Sequence, residues 1–449
     1  MKSLFLCLIA LVMPVTAHAV GYALTEQSAS GLGNAFAGMA ARSDDPSTQY
    51  YNPATMVFMK KGTQLSVVGN VIVPHVTLDN ASARNTTTGF GNISVSGNGG
   101  GNAGVVAAIP NFYLKTDLGD SVALGVGVTT PFGLSTKYND GWVGRYIALE
   151  SKVETINVNP AAAWKVNERF SVGGGVSVQY MRAKLTNAID SGAICVSLGA
   201  SCGGAGNVAT DSSVKLEGDD ISVGFNLGTV FKPDEQTTLG VAYRSKIQQN
   251  LKGTATFTRS AEFNAVLVGA SSTKFTQSGM GTQLNLPENI AFSGAFQASP
   301  KLELLADATW TNWSRFKELR INFDTPAQAA GSATSTTTEN WNNSWRYSVG
   351  TNYKYSSSVV LRTGVAYDQT VIPDSQHRTP RIPDQSRTWI SLGAGWALSP
   401  KNTLDVGYAH LFIKSAATNN TSEGSLQYNI RGDYSSSVDL LSVQLTHSF

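Results

Sequence analysis

Apolar and polar side chains alternate along most of this chain, from about residue 63 to the C-terminus. In INVNPAAAWKV, for example, Ile156, Val158 and Trp164 fall on one face, and Asn157 and Asn159 fall on the other. Successive side chains of a β-strand point to opposite faces, so the alternation predicts strands with one apolar face. About 14 such strands recur along the chain. They span about residues 63–74, 104–115, 120–130, 150–166, 169–187, 218–231, 236–257, 282–297, 300–324, 341–355, 357–370, 387–398, 401–414 and 436–449.

The connections between these strands alternate in length. Turns such as VNE, KPDE and SPK take one position, and long loops rich in Gly, Ser, Thr and Asn take the other. The long loops span residues 75–103, 131–149, 188–217, 258–281, 325–340, 371–386 and 415–435. Short turns on one side and long loops on the other are typical of an outer-membrane barrel, whose closure leaves no unpaired edge in lipid. The pattern therefore predicts an all-β fold, an antiparallel transmembrane β-barrel.

The last strand ends in LLSVQLTHSF, which places Leu441, Val443, Leu445 and the terminal Phe449 on one face. An aromatic C-terminus on an apolar strand face resembles the signature that barrel assembly machinery reads. We therefore expect that machinery as a partner during biogenesis, outer-membrane lipid around the finished barrel, and a monomer.

The first residues predict a signal peptide. Lys2 precedes the apolar run LFLCLIALVM, and the small-residue pattern AHA follows. That run is shorter than the roughly 20 apolar residues that a spanning helix needs. We expect residues 1–19 to be removed after Ala19, so that the mature protein begins at Val20 in a Gram-negative cell envelope.

Composition and scattered side chains exclude several classes of function. Only 14% of residues are charged, and the net charge of +2 comes without basic runs, which argues against nucleic acid. Two cysteines remain after cleavage, Cys195 and Cys202, and export to an oxidising compartment predicts a disulfide within one loop. The histidines fall in different segments, so the sequence predicts no metal site, no cofactor and no catalytic residues.

The segment ahead of the strands, residues 20–61, follows a different pattern and is called the leading segment below. It is rich in Gly, Ala and Ser, and it predicts two short helices, at 34–41 and 53–59. Asn52 stands at an N-cap position and Pro53 at the first helical position, ahead of Ala54. A compact segment before a wide barrel predicts either a periplasmic appendage or a plug in the lumen, and its many apolar side chains favour a plug. The predicted organisation is therefore a hatch at 20–61 and a barrel at 62–449.

Several blocks of sequence resemble the FadL/TodX family of outer-membrane transporters for long-chain fatty acids and other hydrophobic compounds. GYALTEQSASGLGNAFAGMAARSDDPSTQYYNPA is similar to the mature N-terminus of that family, and the Asn52-Pro53-Ala54 triplet is its most specific part. The agreement continues in DGWVGRYIALESKVETINVNPAAAW, LNLPENIAFSG, DATWTNWSRFKELRI and IPDQSRTWISLGAGW. The resemblance implies 14 strands, an N-terminal hatch and a substrate that leaves sideways into the membrane.

The third predicted strand ends in Thr130-Pro131-Phe132-Gly133. Proline cannot donate to a sheet ladder and glycine weakens a strand, so this stretch is either a kink or the ordinary end of the strand. In the family a kink at this place forms the opening in the wall, which makes Thr130, Pro131, Phe132 and Gly133 the candidate lateral opening.

Candidate ligand residues also follow from the resemblance. The family inserts an aromatic side chain from its mature N-terminus into a tight site, and Tyr22, flanked by Gly21 and Leu24, takes that place here where the best-known member has phenylalanine. The basic residues of the tight site transfer less cleanly: Arg182 and Lys184 lie near one expected position, and Asn187 stands where a basic residue is hoped for. Arg320, Arg346 and Arg387 are further candidates for the lumen, against the alternative that each is a solvated or wall-packing arginine.

Three functions remain open on the sequence. The first is passive uptake of long-chain fatty acids or similar compounds through a plugged barrel with lateral exit, with aromatic or alkane hydrocarbons as alternative substrates. The second is an outer-membrane enzyme that acts on lipids, and the third is a general porin. We expect no enzymatic activity.

Overall fold

The computed structural model describes residues 21–449. The predicted signal peptide, its cleavage after Ala19 and the residue Val20 lie outside the described residues. Within that range, 14 antiparallel strands form one closed barrel, which confirms the predicted fold class. The ladder between the first and last strands runs from Gln64 paired with Ser448 to Asn85 paired with Tyr428, and this ladder closes the cylinder.

The strands are numbered in chain order, and four of them consist of two segments. They are β1 (Gln64–Asn85), β2 (Ala107–Leu118), β3 (Val122–Thr129 and Gly133–Lys137), β4 (Glu150–Asn167), β5 (Phe170–Ile189), β6 (Ser212–Phe231), β7 (Thr237–Arg244 and Ile247–Thr258), β8 (Ser278–Leu286 and Asn289–Ser299), β9 (Leu302–Thr311 and Glu318–Phe323), β10 (Ser344–Lys354), β11 (Val359–Asp368), β12 (Arg387–Ser399), β13 (Asn402–Ile413) and β14 (Tyr428–Ser448).

Several strands run further than the alternation of apolar residues predicts. β1 continues to Asn85 and β14 already begins at Tyr428, within stretches predicted as loops. These extensions mix polar residues with buried apolar ones such as Val76 and Ile430, and they pair with each other apart from one irregularity between Asp79 and Ser82. The apolar band marks only the part of a strand that crosses lipid, so it underestimates strands that extend beyond the membrane.

The leading segment lies inside the barrel. It contains helices α1 (Ala29–Leu32) and α2 (Thr48–Tyr51) and a 3₁₀ helix over Pro53–Phe58. The side chain of Asn52 accepts a hydrogen bond from the backbone N–H of Ala54, as its N-cap position predicts. The predicted helix at 34–41 is wrong, because Ala35 and Phe36 adopt left-handed φ angles of 50° and 56° and the chain turns there instead.

Glycines on the inner face of the wall let the leading segment pack against it. A Cβ atom added to Gly228 would lie 1.9 Å from Asn52 Oδ1, and one on Gly240 would lie 2.0 Å from the carbonyl oxygen of Ala40. Gly364 on β11 makes the same kind of approach to Asn34. Any larger residue at these positions would push the segment away, so wall and segment are complementary in shape.

The long loops carry their own small elements at one end of the barrel. Helix α3 (Ser191–Ser197) and helix α4 (Ala261–Gly269) pack together there, and a disulfide joins Cys195 to Cys202. Among residues 21–449, no helix is long and apolar enough to cross a membrane. The same range contains no cluster of three or more His, Cys, Asp or Glu side chains that could hold a metal ion.

Candidate ligand site and wall opening

The barrel wall has a gap between β2 and β3. Pairing between these strands ends at Phe112 and Val128, so the β3-facing edge of residues 107–111 has no ladder partner. After Thr129 the chain leaves the sheet, and β3 resumes at Gly133, where it pairs only with β4. Proline cannot extend a ladder, and Pro131 lies in the interruption while Pro110 lies on the free edge of β2. The stretch Thr130–Gly133 thus interrupts β3 without ending it, and its role as a lateral opening stays a prediction.

The beginning of the leading segment covers this gap from inside. The backbone N–H of Leu24 donates to the carbonyl of Pro131 at 2.8 Å, and that of Gly133 donates to the carbonyl of Tyr22 at 2.9 Å. Gln27 binds both edges, because its Nε2 donates to the carbonyl of Thr130 and its own carbonyl accepts from the Tyr113 hydroxyl on β2. The segment thus supplies hydrogen bonds that an uninterrupted strand would have made.

Tyr22 projects from this cover into a cage of aromatic rings. Its ring centroid lies 4.9 Å from Trp313, 5.9 Å from Phe316 and Trp341, and 6.0 Å from Phe132. The hydroxyl is buried and has no hydrogen-bond partner among the described residues, and burial raises the pKa of Tyr22. A buried hydroxyl without a partner is costly, so it is available to a ligand with an acceptor group.

Two rings of the cage come from an interruption in β9. Between its segments the chain turns inward through a 3₁₀ helix over Trp313–Arg315, which brings Trp313 and Phe316 into the lumen. Gly21 lies against this cage, since an added Cβ would be 2.7 Å from a ring carbon of Trp341. The block DATWTNWSRFKELRI contains both residues, but strand alternation gives no signal that the chain leaves the wall there.

A narrow apolar cavity of about 60 Å³ opens beside Tyr22 toward the long loops. Its walls are aliphatic side chains of strands β3 to β9, and only a few polar groups reach it. The lining includes Leu134, Val153, Leu185, Leu216, Leu251, Met280, Leu284, Leu319 and Ile382, with Glu339 and Arg381 at its polar end.

Arg381 gives this cavity a positive end. Its guanidinium donates to the carbonyl of Ile147 at 2.7 Å and to the hydroxyl of Ser151 at 3.2 Å, and no carboxylate of the described residues lies within 4.0 Å of it. Burial lowers the pKa of Arg381 to about 10, so the group stays charged at neutral pH.

Glu339, the acidic residue that lines the slot, does not neutralise the charge of Arg381. Burial raises the pKa of Glu339 to about 8, and its Oε2 accepts a hydrogen bond from Trp341 Nε1 at 3.0 Å. Most of the Glu339 carboxyl is therefore protonated at pH 7. An apolar slot that ends in one half-buried cation suits an amphiphile with a long tail and a single carboxylate.

The predicted ligand residues fall in different places. Tyr22 and Leu24 lie at the cage and the gap, with Gly21 beside them. Arg182 and Lys184 lie on the outer face of β5, paired with Glu217 and Glu150, and do not line the cavity. Their position follows from strand parity, because Arg182 shares its face with the exposed Val178.

The other candidate arginines are already paired. Arg320 is exposed and pairs with Glu318, while Arg387 is buried against Asp384 and Asp368. Arg346 faces the lumen and pairs with Asp368, its Nε lying 3.0 Å from Oδ1. Asn187 reaches the cavity region through a 3.4 Å hydrogen bond from Arg381. The sequence did not indicate Arg381 as a ligand residue, because it lies in a loop without periodicity.

Together, a closed transmembrane barrel, a lumen occupied by its own leading segment and an apolar slot define a transport protein of the outer membrane. A sequence model of the outer membrane protein transport protein family (OMPP1/FadL/TodX) matches residues 10–449. The chain belongs to this family, and the barrel lies in the outer membrane of Gram-negative bacteria.

Individual relatives agree with this assignment. The long-chain fatty acid transport protein of Salmonella typhi is 29% identical, over 94% of this chain and 93% of its own length. The crystal structure of a Pseudomonas aeruginosa FadL homologue has a TM-score of 0.85 at 28% identity, covering 96% of this chain and 100% of that one. The Ralstonia pickettii toluene transporter TbuX has a TM-score of 0.63 at 18% identity, covering 93% and 99%, and this likeness concerns the fold alone.

Proposed function

We propose that this protein takes up long-chain fatty acids by passive diffusion, and that the acid leaves through the gap between β2 and β3 into the membrane. The observation that carries the proposal is the apolar slot that joins the half-buried Arg381 to Tyr22, whose own backbone closes the gap. The relative from Salmonella typhi, which bears the name of a long-chain fatty acid transport protein, supports this substrate class.

The tail and the carboxylate have different parts in binding. Burying a CH₂ group is worth about 0.8 kcal/mol, so a tail of ~14 such groups contributes ~11 kcal/mol before the costs of binding. A sheltered hydrogen bond to a charged group adds about 1.5–3 kcal/mol. The tail therefore provides most of the affinity, and Arg381 sets the orientation and selects for an acid.

Binding is coupled to the gap through Tyr22. At roughly 10–15 Å³ per water molecule, the slot has room for about five water molecules, which is too little for a long tail. A ligand must therefore displace a side chain, and Tyr22 stands on a segment that non-covalent contacts alone hold in place there. Moving Tyr22 pulls its carbonyl from the N–H of Gly133 and uncovers the opening. In this proposal residues 20–61 are the hatch, and residues 62–449 form the barrel around it.

The proposal also distinguishes this protein from the two other classes. A general porin needs an open lumen, whereas here wall glycines fit closely against the leading segment. For a lipid-acting enzyme, the slot offers an arginine and a protonated acid but no nucleophile beside a base among its lining residues. We accordingly infer transport without catalysis, by a monomer that the barrel assembly machinery inserts.

Neutral hydrocarbons are the second candidate substrates. The aromatic cage around Tyr22 favours them, because flat or flexible apolar molecules pack well against such rings. Arg381 argues for acids instead, since an alkane or toluene offers no acceptor group to the cation at the end of the slot.

Binding of radiolabelled oleate to the purified protein tests the proposal, with unlabelled oleate, hexadecane and toluene as competitors. Replacing the cation in Arg381→Gln should weaken oleate binding by about tenfold or more, because it removes a charged partner in a sheltered site. Arg182→Gln is the matched control, since that arginine lies on the outer face, and it should bind oleate like the wild type. Equal loss in both variants, or full displacement of oleate by toluene, would refute fatty acids as the substrate.

A further inference from the structure

A second chamber lies beneath Tyr22, on the far side of the aromatic cage from the slot. It has a volume of about 130 Å³, roughly twice that of the slot. Leu24, Phe36 and Met39 of the leading segment form an apolar side, and inward-facing groups of strands β6 to β10 form a polar side. Both Pro131 and Phe132 border it, so the chamber reaches the gap between β2 and β3.

The polar side presents one cation without an acidic partner. Arg244, the last residue in the first segment of β7, donates from Nη2 to the carbonyl of Tyr50 at 2.6 Å. Its guanidinium carbon lies 4.4 Å from the centre of the Tyr50 ring. Among residues 21–449 no carboxylate lies within 4.0 Å of Arg244. The remaining donors of this guanidinium are therefore available to an anion.

The other charged groups of the chamber already have hydrogen-bond partners within the protein. Arg346 pairs with Asp368 and donates to the carbonyl of Ala35 at 2.8 Å. Asp307 accepts hydrogen bonds from the hydroxyls of Ser293 and Thr309 on the same side. These contacts hold both groups in place, and Arg244 is the chamber's one arginine without an acidic partner among the described residues.

We propose that Arg244 is a second binding station for the carboxylate of the transported acid, an inference that rests on the proposed function. An acid that leaves Arg381 and passes Tyr22 enters a chamber with a cation on β7 and an apolar surface extending to the gap beside β3. Held by its carboxylate at Arg244, the molecule directs its tail toward Pro131 and Phe132. The tail then leaves the wall first, and the charged group follows once the tail is in lipid.

Two proteins, Arg244→Gln and Arg244→Lys, test this station in vesicles that contain the purified barrel. Arg244→Gln should lower the rate of oleate entry about fivefold to tenfold, because the departing carboxylate loses its partner. Entry of oleyl alcohol, which has no charge, should stay within twofold of the wild type. Arg244→Lys keeps the charge and should restore most of the oleate rate.

Equilibrium binding separates this proposal from the proposed function. The wild type should bind two oleates per chain at saturation and Arg244→Gln one, with the affinity of the remaining site unchanged. A wild type that binds a single oleate, or an equal loss of oleate and oleyl alcohol entry, overturns the second station but leaves transport intact. A wild type that neither binds nor admits oleate overturns the proposed function itself.

A crystal structure of the wild type with oleate provides a test that needs no variant. One carboxylate should lie within hydrogen-bond distance of Arg381 and another within that distance of Arg244. Density for a carboxylate at Arg381 alone, at saturating oleate, would contradict the second station.

Discussion

Two interruptions of the barrel wall, one between β2 and β3 and one between β8 and β9, are closed in different ways. Between β8 and β9 pairing stops at Thr282 with Ile321 and resumes at Asn289 with Thr311. Glu288 closes that break by accepting two hydrogen bonds from Arg315 and one from Asn312. All of these groups belong to β8, β9 and the short connections between their segments.

Between β2 and β3 the closing groups belong to a different part of the chain. The backbone of Tyr22 and Leu24 binds the interrupted strand, and nothing but packing and hydrogen bonds keeps the leading segment there. The proposed exit between β2 and β3 therefore rests on this removable cover as well as on the missing ladder. In the proposed mechanism an exit needs a cover that can leave without unfolding a strand, and of these two interruptions only the first has one.

The largest effect is expected from fastening that cover covalently. Ala23 and Phe132 form an isolated antiparallel bridge flanked by the two backbone hydrogen bonds, which places their Cα atoms about 4.5 Å apart. That spacing allows a disulfide, so Ala23→Cys with Phe132→Cys should lock the segment over the gap. Oleate entry should fall by about twentyfold or more under oxidising conditions.

Reduction of the engineered disulfide provides the control for this experiment. Entry should return to the rate of the two single variants when a thiol reagent is added, because the opening is then free again. Undiminished entry with the disulfide fully formed, as measured by mass spectrometry, would mean that the acid leaves by another path.

A smaller effect is expected from pH at the slot that leads to this exit. The pKa of Glu339 is about 8, raised by burial, so increasing the pH from 7 to 9 converts a neutral acid to an anion. The new negative charge opposes a bound carboxylate near Arg381, and oleate affinity should fall about threefold to tenfold. Oleate titrations at both pH values measure the change. Glu339→Gln should abolish it, and an unchanged pH response in that variant would exclude Glu339 as its source.

The smallest effect on transport is expected at the second interruption. Glu288→Gln weakens the contacts with Arg315 and Asn312, so the barrel should unfold at a lower temperature. Oleate entry should stay within twofold of the wild type, because this break has no removable cover. A loss of entry as large as that of the locked cover would remove the distinction between the two interruptions.

The sequence predicted the barrel well because the alternation of apolar and polar side chains is visible within each strand. Val176 and Val178 alternate with Ser177 and Gln179 whatever surrounds them, and that alternation located nearly every strand. It was harder to infer which face of each strand points into the lumen and which points outward, as Arg182 shows. In a barrel whose lumen is filled, lipid covers one face and the leading segment the other, so apolar residues do not distinguish them.

The candidate site depended more on contacts that no local pattern contains. Tyr22 and the Thr130–Gly133 stretch were recognised through a resemblance and through proline chemistry, respectively. Arg381 and Arg244 were not, although both occur in the printed sequence. Arg381 lies in a loop without periodicity. Arg244 is one of many inward-facing strand residues, and only the structure shows that it has no acidic partner.

By itself, the sequence determined that this chain forms a closed barrel and that a segment unlike a strand precedes it. Side-chain periodicity, turn residues and proline affect only the few residues next to them in sequence, so they can be recognised without a structure. Only the tertiary structure decided that the leading segment covers one gap in the wall and which arginines remain unpaired. Those properties arise between residues more than a hundred positions apart, as Tyr22 and Gly133 show, and closure of the barrel brings them together.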